Sequence, residues 1–82
     1  MRFRRRASLV EAFRFDGSEA SFRTALAIPR STLSRLSDGV DVPTPIGVRT
    51  VRKGQWVTRD AATDVVRIYD HGAFHAEHEV VA

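Results

Sequence analysis

The chain has 82 residues, 43 % of them hydrophobic and 28 % charged, with no cysteine and a net charge of +3. That length falls below the roughly 100 to 200 residues of an ordinary domain, so one core is expected over 1–82, without disulfide staples, thiolate chemistry or cysteine zinc sites. A chain of this size buries only about 60 % of its unfolded surface, too little to wall off a deep cleft with its own second shell, so it reads as non-enzymatic, with no cofactor and no small-molecule substrate.

The charge is polarised along the chain. Residues 1–35 carry eight arginines against three acids, and residues 60–82 carry five acids against one arginine. Electrostatic binding is therefore expected on one side, to an acidic protein surface or to nucleic acid. No stretch approaches the roughly 20 apolar residues of a membrane span, and the opening M-R-F-R-R-R-A-S-L-V-E-A has no apolar run behind its arginines. No membrane partner and a cytoplasmic location are expected.

In chain order, R-F-R-R-R at residues 2–6 sets an aromatic among basic residues, the pattern of a contact to an acidic partner or a nucleic-acid arm. It makes Arg2, Arg4, Arg5 and Arg6 the candidate partner-binding residues. The same alternation suits an edge strand kept from aggregating by charge. Ser8 to Phe15 reads as a strand with Leu9, Phe13 and Phe15 on one face and Val10 and Ala12 on the other, closed by the turn pair Asp16-Gly17. Ser18 is a helix N-cap, and Phe22, Ala25 and Leu26 fall at i, i+3 and i+4 of a short amphipathic helix.

Pro29 should end that helix, and Ser31 can cap a second helical segment carrying Leu33 and Leu36 before Asp38-Gly39. Val40 to Pro45, with two prolines and no helical period, reads as a loop or edge segment. Residues 46–82 then look like an antiparallel meander. Its strands are Ile46 to Thr50, Trp56 to Arg59, Val65 to Tyr69 and Phe74 to Val81, with turns at Lys53-Gly54 and Asp70-His71-Gly72. The expected class is α+β, a small antiparallel sheet of about 4–5 strands with one or two short helices inserted after the first strand, at about 18–45.

Four constellations bear on chemistry. L-A-I-P-R-S-T-L-S-R-L-S-D-G, Leu26 to Gly39, resembles the turn and recognition helix of lac-repressor-type helix-turn-helix regulators. In that reading Ile28 and Leu33 pack inward, and Arg30, Ser31, Thr32 and Arg35 are the candidate DNA-binding residues facing the major groove. The competing reading is a capped surface helix. His71, His75 and His78 are spaced as a metal site on a helix would need, but in the expected strand His75 and His78 point to opposite faces, so no metal is expected. Glu77 and Glu79 share one face of that strand with no cleft to serve acid–base chemistry. Trp56 is expected in the core, since so small a domain needs its largest apolar side chain inside.

Both ends of the chain carry a wider likeness. M-R-F-R-R-R-A-S-L-V-E-A-F-R-F-D-G, then K-G-Q-W-V-T-R-D and G-A-F-H-A-E-H-E-V-V, resemble a small protein family of tailed bacteriophages and prophages. Its members open M-K-F-R-K-K-P-V-V-I-E-A-x-Q-F/W-D-G and later carry P-G-D-W-I. Ala7 stands where that family has proline and Gln55 where it has aspartate, and residues 18–45 fall in the part that varies. The resemblance implies a phage context in the host cytoplasm and supplies no catalytic residues. The resulting expectation is a phage accessory protein that binds and modulates or inhibits a host or phage protein, such as a defence or transcription complex. The alternatives are a DNA-binding regulator using residues 26–39 and a minor virion component.

Overall fold

The computed structural model describes the backbone of residues 2–5 and 8–80 and the side chains of residues 9–78. The described residues form a mixed α+β structure of two antiparallel sheets and two helices.

The larger sheet is organised by β2 (Ser8–Arg14), which buries Val10 and Ala12 on one face; on the other Phe13 is half-buried and Leu9 is exposed, so the inward place expected for Leu9 is corrected. β2 pairs on one side with β1 (Arg2–Arg5), Phe3 opposite Val10, and on the other with β6 (Trp56–Asp60), Phe13 opposite Val57. β7 (Val66–Tyr69) extends the sheet beyond β6, and β8 (His78–Val80) lies against β1, giving the order β7-β6-β2-β1-β8. The arginine strand is thus flanked on both sides, and the edge strand expected at residues 2–6 is corrected for Arg2, Arg4 and Arg5. Arg6 lies outside the described residues.

Past Phe15 the chain turns at Gly17, whose φ of 83° is the left-handed region that a side chain would strain. Ser18 caps α1 (Glu19–Leu26), its Oγ accepting from the Ser21 N–H at 3.2 Å. The smaller sheet follows, β3 (Thr32–Leu33), β4 (Val40–Thr44) and β5 (Gly47–Val51), with β4 in the centre. Val40 to Pro45 is therefore mostly a paired strand. Pro43 is tolerated there because β3 reaches only Val40 and Asp41, so no strand neighbours β4 on that side at the proline. The former meander expectation is also corrected at β5, which pairs with β4 through the two-residue turn Pro45-Ile46 and leaves the larger sheet.

Two apolar clusters cover the two faces of the larger sheet. On one face Phe15, Val57 and Val66 meet Val40, Val42 and Val51 of the smaller sheet and Ala25 of α1. On the other, Val10, Ala12 and Trp56 meet Phe74. Each fully buried side chain of this size contributes about 1.5–3 kcal/mol.

That second cluster explains the largest departure at the C-terminal end. Phe74 to Val81 does not run as one strand; α2 (His71–Glu77) forms first, and only His78–Val80 are extended. A strand would alternate Phe74 with its neighbours, whereas one helical turn, with the Phe74 N–H donating to the Asp70 carbonyl at 2.8 Å, lays the phenyl ring flat on Trp56. Their centroids are 4.2 Å apart and their planes 2° from parallel. Phe74 is wholly buried, so the apolar gain outweighs the weak helix propensity of Gly72.

Candidate functional site

The recognition helix expected at residues 31–36 is absent. Arg30 adopts a φ of 65° right after Pro29, which breaks helical continuation, and the next residues pair with β4, Thr32 opposite Asp41 and Leu33 opposite Val40. The Ser34 N–H donates to the Gly39 carbonyl at 3.0 Å, closing this stretch as a loop. Arg30 sits in a turn, Ser31 is half-buried with its N–H on the Ile28 carbonyl, Thr32 is on β3 and Arg35 is in a bend. These four residues share no helical face that a major groove could admit.

The structure instead brings together side chains that no sequence spacing marks. At the tip of the β4–β5 hairpin, Ile46 is 77 % and Val48 68 % exposed, with Pro43 directly opposite Val48. The Thr44 hydroxyl donates to the Gly47 carbonyl at 2.6 Å and accepts from the Ile46 N–H at 3.3 Å, so the turn holds this apolar tip out of the body of the protein. Leu33, at 59 %, and Leu36, at 97 %, are exposed on the loop side of the same sheet.

Beside the tip lies a cleft of about 350 Å³ between the hairpin and β7, lined by Ile46, Arg49, Gln55, Arg67, Ile68 and Asp70. Gln55 is oriented at both ends of its amide: Oε1 accepts from the Arg52 N–H at 2.8 Å, and Nε2 donates to Asp70 Oδ1 at 3.2 Å. Among the described residues the ion pairs are Arg23–Glu19 at 2.8 Å and Arg59–Asp64 at 3.1 Å, so neither Arg49 nor Arg67 belongs to one. Arg67 does attract Asp60, whose carboxyl lies below its ordinary range chiefly because the Thr63 and Ala62 N–H groups donate to it. Arg49 and Ile68 come from different sheets, which is why a linear reading passes over them.

The histidines require a second correction. On α2, His71 and His75 share one face, with ring centroids 4.5 Å apart. That is the helical arrangement the expected strand had excluded. His78 turns away, buried, with Nδ1 2.8 Å from the Phe74 carbonyl and its ring stacked on Phe74. The indole Nε1–H of Trp56, a donor only, donates to His71 Nδ1 at 3.0 Å, so Nδ1 is the bare nitrogen, the proton sits on Nε2, and His71 has no lone pair left to offer. Among the described residues no group of three or more histidines and acids is arranged for a metal ion. Glu77 ends α2 and Glu79 lies in β8, so the single strand face expected for that pair does not form. Trp56 is buried as expected.

No protein-family model, no curated protein and no solved structure matches this chain. Among the described residues no helix is long and apolar enough to cross a membrane.

Proposed function

We propose that the protein is a small phage-type accessory protein that works as a non-enzymatic binding module, docking on a host or phage protein and modulating or inhibiting it. The observation that carries this reading is the β4–β5 tip, where Ile46 on the two-residue turn and Val48 on β5 are exposed beside Arg49. Single exposed aliphatic side chains are ordinary, whereas neighbouring ones grouped at one tip are the kind of apolar patch that marks an interaction surface. Apolar anchors flanked by arginine are the composition of protein interface cores. In this reading Arg2, Arg4, Arg5 and Arg6 add the one-sided positive charge that steers an acidic partner, supported by the charge gradient of the sequence.

The test is capture from host lysate, with nuclease, by the wild-type chain, by an Ile46→Asp/Val48→Asp variant and by a variant with Arg2, Arg4, Arg5 and Arg6 reversed to glutamate. A stoichiometric protein retained by the wild type and lost by the tip variant is expected, with weaker and more salt-sensitive capture by the arginine variant. Capture that the tip variant leaves unchanged, or that disappears with nuclease, overturns the reading.

A further inference from the structure

We infer that the outer edge of β7 takes up an extended segment of the partner protein, in which acidic residues alternate with apolar ones, as an added strand of the larger sheet. The inference rests on the docking reading and names what that partner offers. β7 stands at the end of the order β7-β6-β2-β1-β8, so among the described residues no strand lies beyond it. The ladder on its other side fixes which of its backbone groups are open. The Phe15 N–H donates to the Gln55 carbonyl, the Ala61 N–H to the Leu9 carbonyl and the Asp60 N–H to the Val65 carbonyl. Antiparallel ladders alternate bonded with unbonded pairs, so Val57 and Arg59 bond toward β2 while Trp56, Thr58 and Asp60 bond toward β7. Arg67 and Tyr69 therefore turn their N–H and carbonyl groups to β6, and Val66 and Ile68 turn theirs to the open edge.

The space beyond that edge is a slot. Residues 65–66 line a hollow of about 410 Å³ and residues 67–70 line the cleft of about 350 Å³, with Thr44 and Pro45 of the hairpin on both. Successive strand residues point to opposite faces, so a run of neighbours bordering one side of these hollows borders them with its backbone. Side chains of an added strand alternate in the same way. One across from Val66 or Ile68 falls on the hairpin face, where Ile46 and Pro45 suit an apolar group. One across from Arg67 falls on the opposite face, where Arg67 stands opposite Thr58 and acts on Asp60, and there a carboxylate is favoured. Arg30 and Arg49, in the walls of the two hollows, belong to no ion pair among the described residues, whereas Asp64 is held by Arg59 and Asp70 accepts from Gln55. The slot thus attracts acid. A second copy of this chain fits worse, because full overlap of β7 with β7 pairs Val66 with Ile68 and sets Arg67 against Arg67.

The probe is a peptide of about seven residues alternating glutamate with valine, blocked at both ends, titrated against the full chain at about 0.1 M salt, where long-range attraction is screened. Backbone amide NMR and hydrogen exchange are the readouts. In the free protein the Val66 and Ile68 amides should exchange faster than those of Arg67 and Tyr69, and the peptide should shift the first two saturably and slow their exchange. The peptide valines lie across from Val66 and Ile68, so N-methylation of the valines removes the edge bonds without touching the protein and should weaken binding about tenfold or more, while N-methylation of the glutamates leaves it unchanged. Arg67→Glu, whose spectrum checks the fold, should weaken it as well. Equal binding by both methylated peptides, binding of a lysine–valine peptide as tight as that of the glutamate one, or no saturable shift in β7 overturns the inference. Shifts of Val66 and Ile68 that depend on protein concentration alone give the edge to a second copy and overturn it too. The docking reading fails separately: lysate capture lost in the Ile46→Asp/Val48→Asp variant while the peptide leaves β7 untouched sinks the strand pairing alone, and capture indifferent to that variant while the peptide pairs with β7 sinks the tip alone.

Discussion

The indole N–H of Trp56 donates to Nδ1 of His71 at 3.0 Å while the face of the same indole stacks on Phe74, so one side chain of β6 holds the first turn of α2 at two points. α2 is only seven residues long and its N-cap Asp70 makes no side-chain capping bond, so propensity alone would leave it unformed. Its existence is a tertiary effect of Trp56.

The two holds separate by substitution. Trp56→Phe keeps a ring against Phe74 but deletes the donor, and should cost about 0.5–1.5 kcal/mol for the lost bond plus the smaller ring's lost burial. Phe74→Ala empties the centre of the second cluster and should cost about 3–5 kcal/mol. Urea unfolding of both variants checks the order; an equal or reversed ranking would show that the hydrogen bond, not the stack, holds α2.

Gly39 is required by a close approach. A Cβ there would run into the Val51 carbonyl oxygen and crowd the Thr50 methyl, where β4 begins beside the end of β5. Gly39→Ala should cost about 1–3 kcal/mol or more through backbone displacement, whereas Gly72→Ala, which meets nothing, should be neutral to stabilising by up to about 1 kcal/mol. Thermal unfolding of the pair distinguishes them.

The entry to α1 carries a pH dependence. The Ser18 hydroxyl and backbone N–H, with a smaller contribution from Ser21, hold the Asp16 carboxyl at about 2, below its ordinary 3.8. A depressed carboxyl stabilises the folded state fully above the unfolded value and loses that contribution as pH falls through the folded one. The turn at Asp16 to Ser18 should therefore loosen between about pH 4 and pH 2, and Asp16→Asn should flatten that part of the stability curve. Carboxyl NMR titration gives the midpoint directly.

Ser18→Ala removes the cap at the same place and should cost about 1 kcal/mol, with α1 fraying from Glu19. Hydrogen exchange at the Ser21 N–H, which the Ser18 hydroxyl satisfies, should accelerate in that variant and stay unchanged in Trp56→Phe.

What was legible in the sequence is what local rules decide. The strand at Ser8 to Arg14 with Val10 and Ala12 turned inward, the Ser18 cap, the short helix after it, the Lys53-Gly54 turn and the burial of Trp56 each depend on residues close together along the chain. The segments that went otherwise did so through partners distant in sequence. Residues 31–36 carry a cap and spaced leucines that suit a helix, but Thr32 and Leu33 pair with β4, whose Val40 and Val42 must be buried. Around Phe74 the sequence suits a strand, since alternation there is as good as helical period, and only the position of Trp56 makes the helix the better way to bury the ring. The candidate cleft belongs wholly to this second kind. Arg49 and Ile68 are ordinary strand residues in the sequence, and they line one cleft because two sheets pack face to face over a shared core, which places the hairpin beside β7.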